Sequence, residues 1–149
     1  MASLIIAEEE EGMSKANQMS EQEQQQWIRE QYQVATKFLA AKGLITDSVV
    51  NSDSRYLVPF VSLWSIKLAD KSRVWVIAGD LPTDYAPLSV AKDAREAIRH
   101  FSFKWQMQAD QLLKSSDEEQ QKFAQVLIGR AEGLYDLFEK DAIWQAQTA

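Results

Sequence analysis

Between Phe60 and Tyr85 the chain reads FVSLWSIKLADKSRVWVIAGDLPTDY, and its polar and apolar positions alternate with a period near two. Aromatic and β-branched residues are plentiful there, which is the pattern of half-buried strands. Phe60, Trp64, Ile66 and Leu68 alternate with Val61, Ser62, Leu63, Ser65 and Lys67. Asp70-Lys71-Ser72 is a polar break of hairpin length, and from Arg73 the alternation resumes, with Val74, Val76 and Ala78 on one face and Arg73, Trp75 and Ile77 on the other. The segment predicts a β-hairpin, with Trp64 and Trp75 as candidates for a cross-strand pair. A lone hairpin is marginally stable in water, so this one requires helices packed on it, further strands, or a second copy of itself. Pro59 has no N–H for the ladder and belongs at a strand's beginning or edge. Gly79 ends the second strand, and Asp80-Leu81-Pro82-Thr83-Asp84 turns the chain toward a helix.

Three stretches carry the helical period instead. Ser20-x-x-Glu23 is a capping box, in which the hydroxyl accepts from a free helical N–H and the Glu reaches back. Trp27 or Ile28, Tyr32, Ala35 and Phe38 with Leu39 follow at helical spacing, and Lys42 and Gly43 supply the stop. The polar run Leu44–Tyr56 reads as a connector with room for one short strand around Val49-Val50. Ser89 is the expected cap of the second helix, which runs to about Lys114 with Ala94, Ile98, Phe101, Trp105, Ala109 and Leu112 in one stripe. Ser115-Ser116-Asp117 breaks it, and Ser116-x-x-Glu119 is a second capping box. The third helix carries Phe123, Leu127, Ala131, Leu134 and Phe138, with Trp144 near its end. Gly129-x-x-x-Gly133 on this helix costs roughly 1 kcal/mol per glycine against Ala, so a close approach of another element is expected there. The pattern is not a membrane-dimer motif, because the segment is full of charges.

The 149 residues suit one domain, expected over 20–145, with residues 1–19 as a flexible acidic tail in which Met13 and Met19 are alternative starts. An apolar share of 46% with five Trp, four Tyr and six Phe is that of a globular chain. Cysteine is absent; disulfide scaffolds, thiol catalysis and Cys-based metal sites are thereby excluded. The net charge is −6, and Glu8 to Glu11 supply four of those charges, so the body is near neutral. No basic stripe of the kind that neutralises phosphates is present, which argues against nucleic acid as a partner. Leu4-Ile5-Ile6-Ala7 is too short for a signal peptide or a membrane span, and a basic amphipathic helix for a membrane surface is missing. The expectation is a cytoplasmic protein.

Candidate chemistry is sparse. Asp80 and Asp84 flank Leu-Pro-Thr in the loop after the hairpin. Two carboxylates there could divide acid and base roles or hold a hard cation; equally, Asp80 and Thr83 could satisfy turn amides while Pro82 stiffens the corner. Arg95, one to two turns into the next helix, could reach back to Asp84. His100 is the only histidine, and no nucleophile-elbow pattern accompanies it. Asp93, Glu96 and His100 lie at i, i+3 and i+7, a conceivable ligand set. An ordinary charged surface, with Lys92 and Arg99 pairing to Glu96, accounts for the same residues. Of the tryptophans, Trp105 sits on a core line, whereas Trp27 and Trp144, near element ends, are the better candidates for exposed anchors.

SRYLVPFVSLW, WVIAGDLPTDY, AKDAREAIRHFSFKWQ and RAEGLYDLFE together resemble a family of small bacterial proteins classed as a domain of unknown function. The resemblance covers about residues 20 to 144 and is most specific in the GDLPTDY loop and the AREA-x-R-x-FSF-x-WQ helix; the extension before Met13 has no counterpart. It implies a domain boundary and an important loop, and no activity.

The expected fold is α+β, three amphipathic helices packed on an antiparallel β-hairpin or small sheet. The expected function is a non-catalytic binding or protein-interaction module without cofactor or metal, with an unknown protein partner or a homodimer that covers the hairpin edges. Its site would be Asp80, Pro82, Thr83, Asp84 and Tyr85, with Arg95. The alternative is a small enzyme or metal-binding protein using Asp80, Asp84, Glu96 and His100.

Overall fold

In a computed structural model of the chain, residues 19–146 are described, and they fall into two compact units, one running to Ala94 and one starting at Arg95. The tail proposed for residues 1–19, with its acidic run and Met13, lies outside the described residues except for Met19.

The first unit begins with helix α1 (Glu21–Ala41). Both halves of the capping box form: Glu23 N donates to Ser20 Oγ at 3.1 Å, and Ser20 N donates to Glu23 Oε1 at 3.3 Å. The helix ends where Gly43 takes a φ of +79°. Next come β1 (Thr46–Val49), β2 (Arg55–Leu57), β3 (Val61–Leu68), β4 (Arg73–Gly79) and β5 (Asp84–Pro87), then a single 3-10 turn, Leu88–Val90. All five strands form one antiparallel sheet in the order β1-β3-β4-β5, with β2 beside β1 on the same edge of β3. The architecture is α+β, as expected.

The connector expected between residues 44 and 56 holds two short strands. Ser54 explains how they share one edge. Its hydroxyl donates to Val50 O at 2.9 Å and accepts from Ser65 N at 2.9 Å, while Val50 N donates to Ser65 O at 2.7 Å. The gap between β1 and β2 is thus closed by a side chain, and no ladder group of β3 is left orphaned there. The β3–β4 hairpin is therefore central, its outer sides occupied by β1 and β2 and by β5, so the edges that a homodimer was expected to cover are covered within the chain.

The hairpin register pairs Trp64 with Val76 and Ser65 with Trp75. Trp64 and Trp75 consequently point to opposite faces and do not form the expected pair, because side chains alternate faces at each residue. Trp64, Ile66, Leu68, Val74 and Val76 meet Ala35 and Leu39 of α1, with Tyr32, Phe38, Tyr56 and Tyr85 packed around them. Tyr32 and Tyr56 lie 5.4 and 4.7 Å from the Trp64 ring. The Trp64 indole donates to Ser62 Oγ (2.8 Å), which donates to Ala78 O (2.9 Å), so the buried indole N–H and the Ser62 hydroxyl are both satisfied. Leu63, Trp75 and Ile77 on the other face are also buried. The Asp70–Ser72 turn is held by Asp70 Oδ1, which accepts from Ser72 Oγ (2.6 Å) and Ser72 N (2.9 Å); these bonds favour the carboxylate and hold its pKa below the ordinary value.

The second unit is helical: α2 (Ala94–Leu113), α3 (Glu118–Glu139) and the short α4 (Asp141–Ala146). Ser89 does not cap α2. It lies within the 3-10 turn, and the helix starts at Ala94, because β5 occupies residues that the loop was expected to hand directly to a helix. The cap of α3 also moves by one residue, to Asp117, whose Oδ1 accepts from Glu119 N at 2.9 Å. Along α2 the expected stripe is buried from Ala94 to Ala109. On α3 the stripe is rotated: Ala124, Leu127, Ala131, Leu134 and Leu137 are buried, while Phe123 is 40% exposed. The two helices are tied at their crossing by Ser102 Oγ, which donates to Ala131 O at 2.7 Å. Trp144 is buried rather than an exposed anchor, its indole donating to Leu137 O at 3.0 Å.

Gly129 is not a point of close approach. A Cβ built there meets nothing within 4 Å. Gly129→Ala is therefore expected to stabilise the chain by up to about 1 kcal/mol, since Ala lowers the backbone entropy of the unfolded chain. This corresponds to a rise of roughly 2–4 °C in the circular-dichroism melting midpoint. A lower midpoint would show that the bare backbone at this position is needed.

Candidate functional site

The loop after β4 is a strand-to-strand connection. Asp80 N donates to Phe60 O at 2.8 Å, anchoring the loop to the start of the hairpin, and Asp80 itself is exposed. Pro82 and Thr83 are half-buried at its tip. Asp84 opens β5 opposite Ile77, and its Oδ1 accepts from Tyr85 N at 2.8 Å, an interaction that shapes the turn. Tyr85 stands opposite Val76 and packs edge-on against Phe38 with centroids 6.0 Å apart, as part of the wall of the α1 core. Two of the loop's candidate binding groups are thus engaged by local structure.

Arg95, expected to reach Asp84, is held elsewhere. Its Nη2 contacts Asp141 Oδ1 at 2.6 Å and its Nε donates to Phe138 O at 2.9 Å, with the guanidinium over the rings of Phe138 (5.3 Å) and Trp144 (6.0 Å). It ties the start of α2 to the α3–α4 junction. Half-buried His100 lies edge-on to Phe101 with centroids 5.6 Å apart. Asp80, Asp84, Asp93, Glu96 and His100 each engage another group of the protein. Among the described residues no three His, Asp or Glu side chains stand together as a metal site.

A different grouping lies on the outer side of α2 and α3. Arg99 is exposed, and its guanidinium sits 5.4 Å from the Phe103 centroid and 5.7 Å from that of Phe138. Tyr135 is 6.0 Å from Phe103 and 5.9 Å from Phe138. Phe103 is 42% exposed and Met107, one turn on, 71%. The result is a cation held on ring faces beside a strip of exposed apolar surface, which sequence reasoning missed. The signal was present, because Arg99, Phe103 and Met107 follow one another at steps of four, off the core line of α2. On the same helix pair, Asp136 is half-buried and its Oδ2 is buried without a hydrogen-bond partner. Burial, with Glu139 adding repulsion, raises its pKa. The native chain therefore holds that proton more tightly than the unfolded chain, so this residue's contribution to stability is full below the ordinary value of 3.8 and is lost as pH rises through the raised one.

No curated protein and no solved structure matches the chain. One family model does match, over residues 21–144, nearly the whole of the described fold. The chain belongs to the family described as Domain of unknown function (DUF4826).

Proposed function

We propose that this protein is a cytoplasmic, non-catalytic protein-interaction module whose contact surface is the outer face of α2 and α3. The observation that carries this reading is the joint exposure of Phe103, Met107 and Tyr135 around Arg99. Aromatic residues, Met and Arg are the residue types that interfaces concentrate, since all of them bury large areas and the aromatic rings freeze few rotamers in doing so. Stacking on Phe103 and Phe138 lowers the entropy that Arg99 loses on contact. The Asp80–Tyr85 loop is a weaker candidate because Asp84 and Tyr85 serve the turn and the core. A cytoplasmic setting is supported by the absence of cysteine and fits a described structure in which no helix is long and apolar enough to cross a membrane.

The test is site-specific photo-crosslinking in cells, with Met107→p-benzoylphenylalanine against the same substitution at exposed Asp53. Adducts specific to position 107 are expected, and their masses report what lies on the face. Equal or absent adducts at the two positions would sink the reading.

A further inference from the structure

We infer that the occupant of this face is a second copy of the chain, docked as an antiparallel pair of α2 helices; the inference rests on the interaction reading above. Arg99, Phe103, Met107 and Asp110 form one exposed row at i, i+4, i+8 and i+11, opposite the buried stripe of α2. Read along the helix, the row is cation, apolar, apolar, anion. Read backward it is anion, apolar, apolar, cation. A strip with that order is complementary to its own antiparallel copy, which is what an isologous twofold contact requires.

With the axis midway between Phe103 and Met107, each Phe103 faces the Met107 of the second copy, and each Arg99 faces the second copy's Asp110. Two ion pairs therefore close the ends of a central apolar contact, and Tyr135 widens it on one side. A parallel pairing would set Arg99 against Arg99 and Asp110 against Asp110, so charge selects the antiparallel one. Arg99 is already oriented by the rings of Phe103 and Phe138, which reduces the cost of placing its N–H fork against a carboxylate. The helix presents only a few turns to this contact. An interface of that extent is at the small end of specific ones, so a reversible dimer with a micromolar dissociation constant is expected.

Sedimentation velocity on the full chain, over a micromolar-to-millimolar concentration series, tests the inference. The average mass should climb from the 17.0 kDa monomer toward twice that value. Arg99→Glu and Asp110→Arg should each raise the dissociation constant by about tenfold or more, since each sets like charges face to face. The double variant Arg99→Glu/Asp110→Arg, which restores opposite charges at both ends, should recover most of the loss. Met107→Glu, at a position too exposed to matter for folding, should abolish association. Circular dichroism confirms that each variant is folded. A wild-type chain that stays monomeric throughout overturns the inference, as does a double variant no better than the singles. If position 107 still crosslinks to another protein in that case, the interaction reading survives with a different occupant; if it crosslinks to nothing, both fall.

Discussion

Gly79→Ala is expected to lower the melting midpoint by roughly 10 °C or more, or to prevent folding of the first unit. Gly79 has a φ of +145°, a region that residues with a Cβ rarely enter. The strain of that backbone alone is worth about 1–3 kcal/mol. The larger problem is space. A Cβ at this position would land on the Phe60 carbonyl oxygen and lie 2.9 Å from Val61 Cα. Both are backbone atoms, and the Phe60 oxygen is held by Asp80 N at 2.8 Å, so neither can step aside as a side-chain tip would. The clash sits at the open end of the central hairpin, where Gly79 is paired with Val61, and relief would require pulling β3 and β4 apart. Gly43→Ala is the matched control: its φ is also positive, at +79°, but a Cβ there meets nothing within 4 Å. It should show the conformational cost without the collision, about 1 kcal/mol. If the two variants melt alike in thermal denaturation followed by circular dichroism, the crowding at Gly79 has been overstated.

Trp75→Ala is expected to cost about 3–5 kcal/mol in urea unfolding, the range for removing a large buried aromatic side chain. Trp75 is 1% exposed, and it does more than fill volume. Its indole N–H is shared between Leu88 O and Ala91 O, each at 3.3 Å, so it supports the 3-10 turn and the residue after it. Trp75→Phe separates the two roles. It keeps most of the apolar volume but leaves two carbonyls without that donor, for which a loss of about 1–2 kcal/mol is expected. Amide hydrogen exchange should then accelerate locally from β5 to Ala91 rather than across the whole sheet. A Phe variant as stable as the parent, with unchanged exchange there, would show that the indole bond does not support the turn.

Much of the site-building frame was legible in the residues because it depends on short-range rules. The capping box at Ser20, the stop at Gly43 and the alternation from Val61 to Ala78 are local patterns, and each produced the element it predicts. The connector was expected to hold at most one short strand around Val49-Val50, where β1 lies; β2 escaped because the two strands are only four and three residues long and sit in a polar run. Their identity depends on Ser65, eleven residues from Ser54, and no window around Ser54 contains that partner. The start of α2 was misplaced for a related reason. Asp84–Pro87 has little strand character of its own, and it becomes a strand by adding to the edge of β4. The candidate loop was visible as a loop, yet its role was not, because Tyr85 became a core residue only through Phe38 on α1.

The sequence by itself determined the α+β class, the central hairpin, the three long helices and the stripe of α2 from Ala94 to Ala109, since periodicity and caps act over one or two turns. It also excluded thiol chemistry through its lack of cysteine. The tertiary structure alone decided which faces are spent. Trp64 and Trp75 went to opposite sides of the sheet through register, and Trp144 was buried through its bond to Leu137. Arg95 was committed to Asp141, while Arg99, one turn away, remained exposed on two aromatic rings. Both arginines have the same chemistry in one dimension. What separates them is the packing of α3 and α4 beside α2, a long-range contact that gives one arginine a structural partner and leaves the other to present a surface.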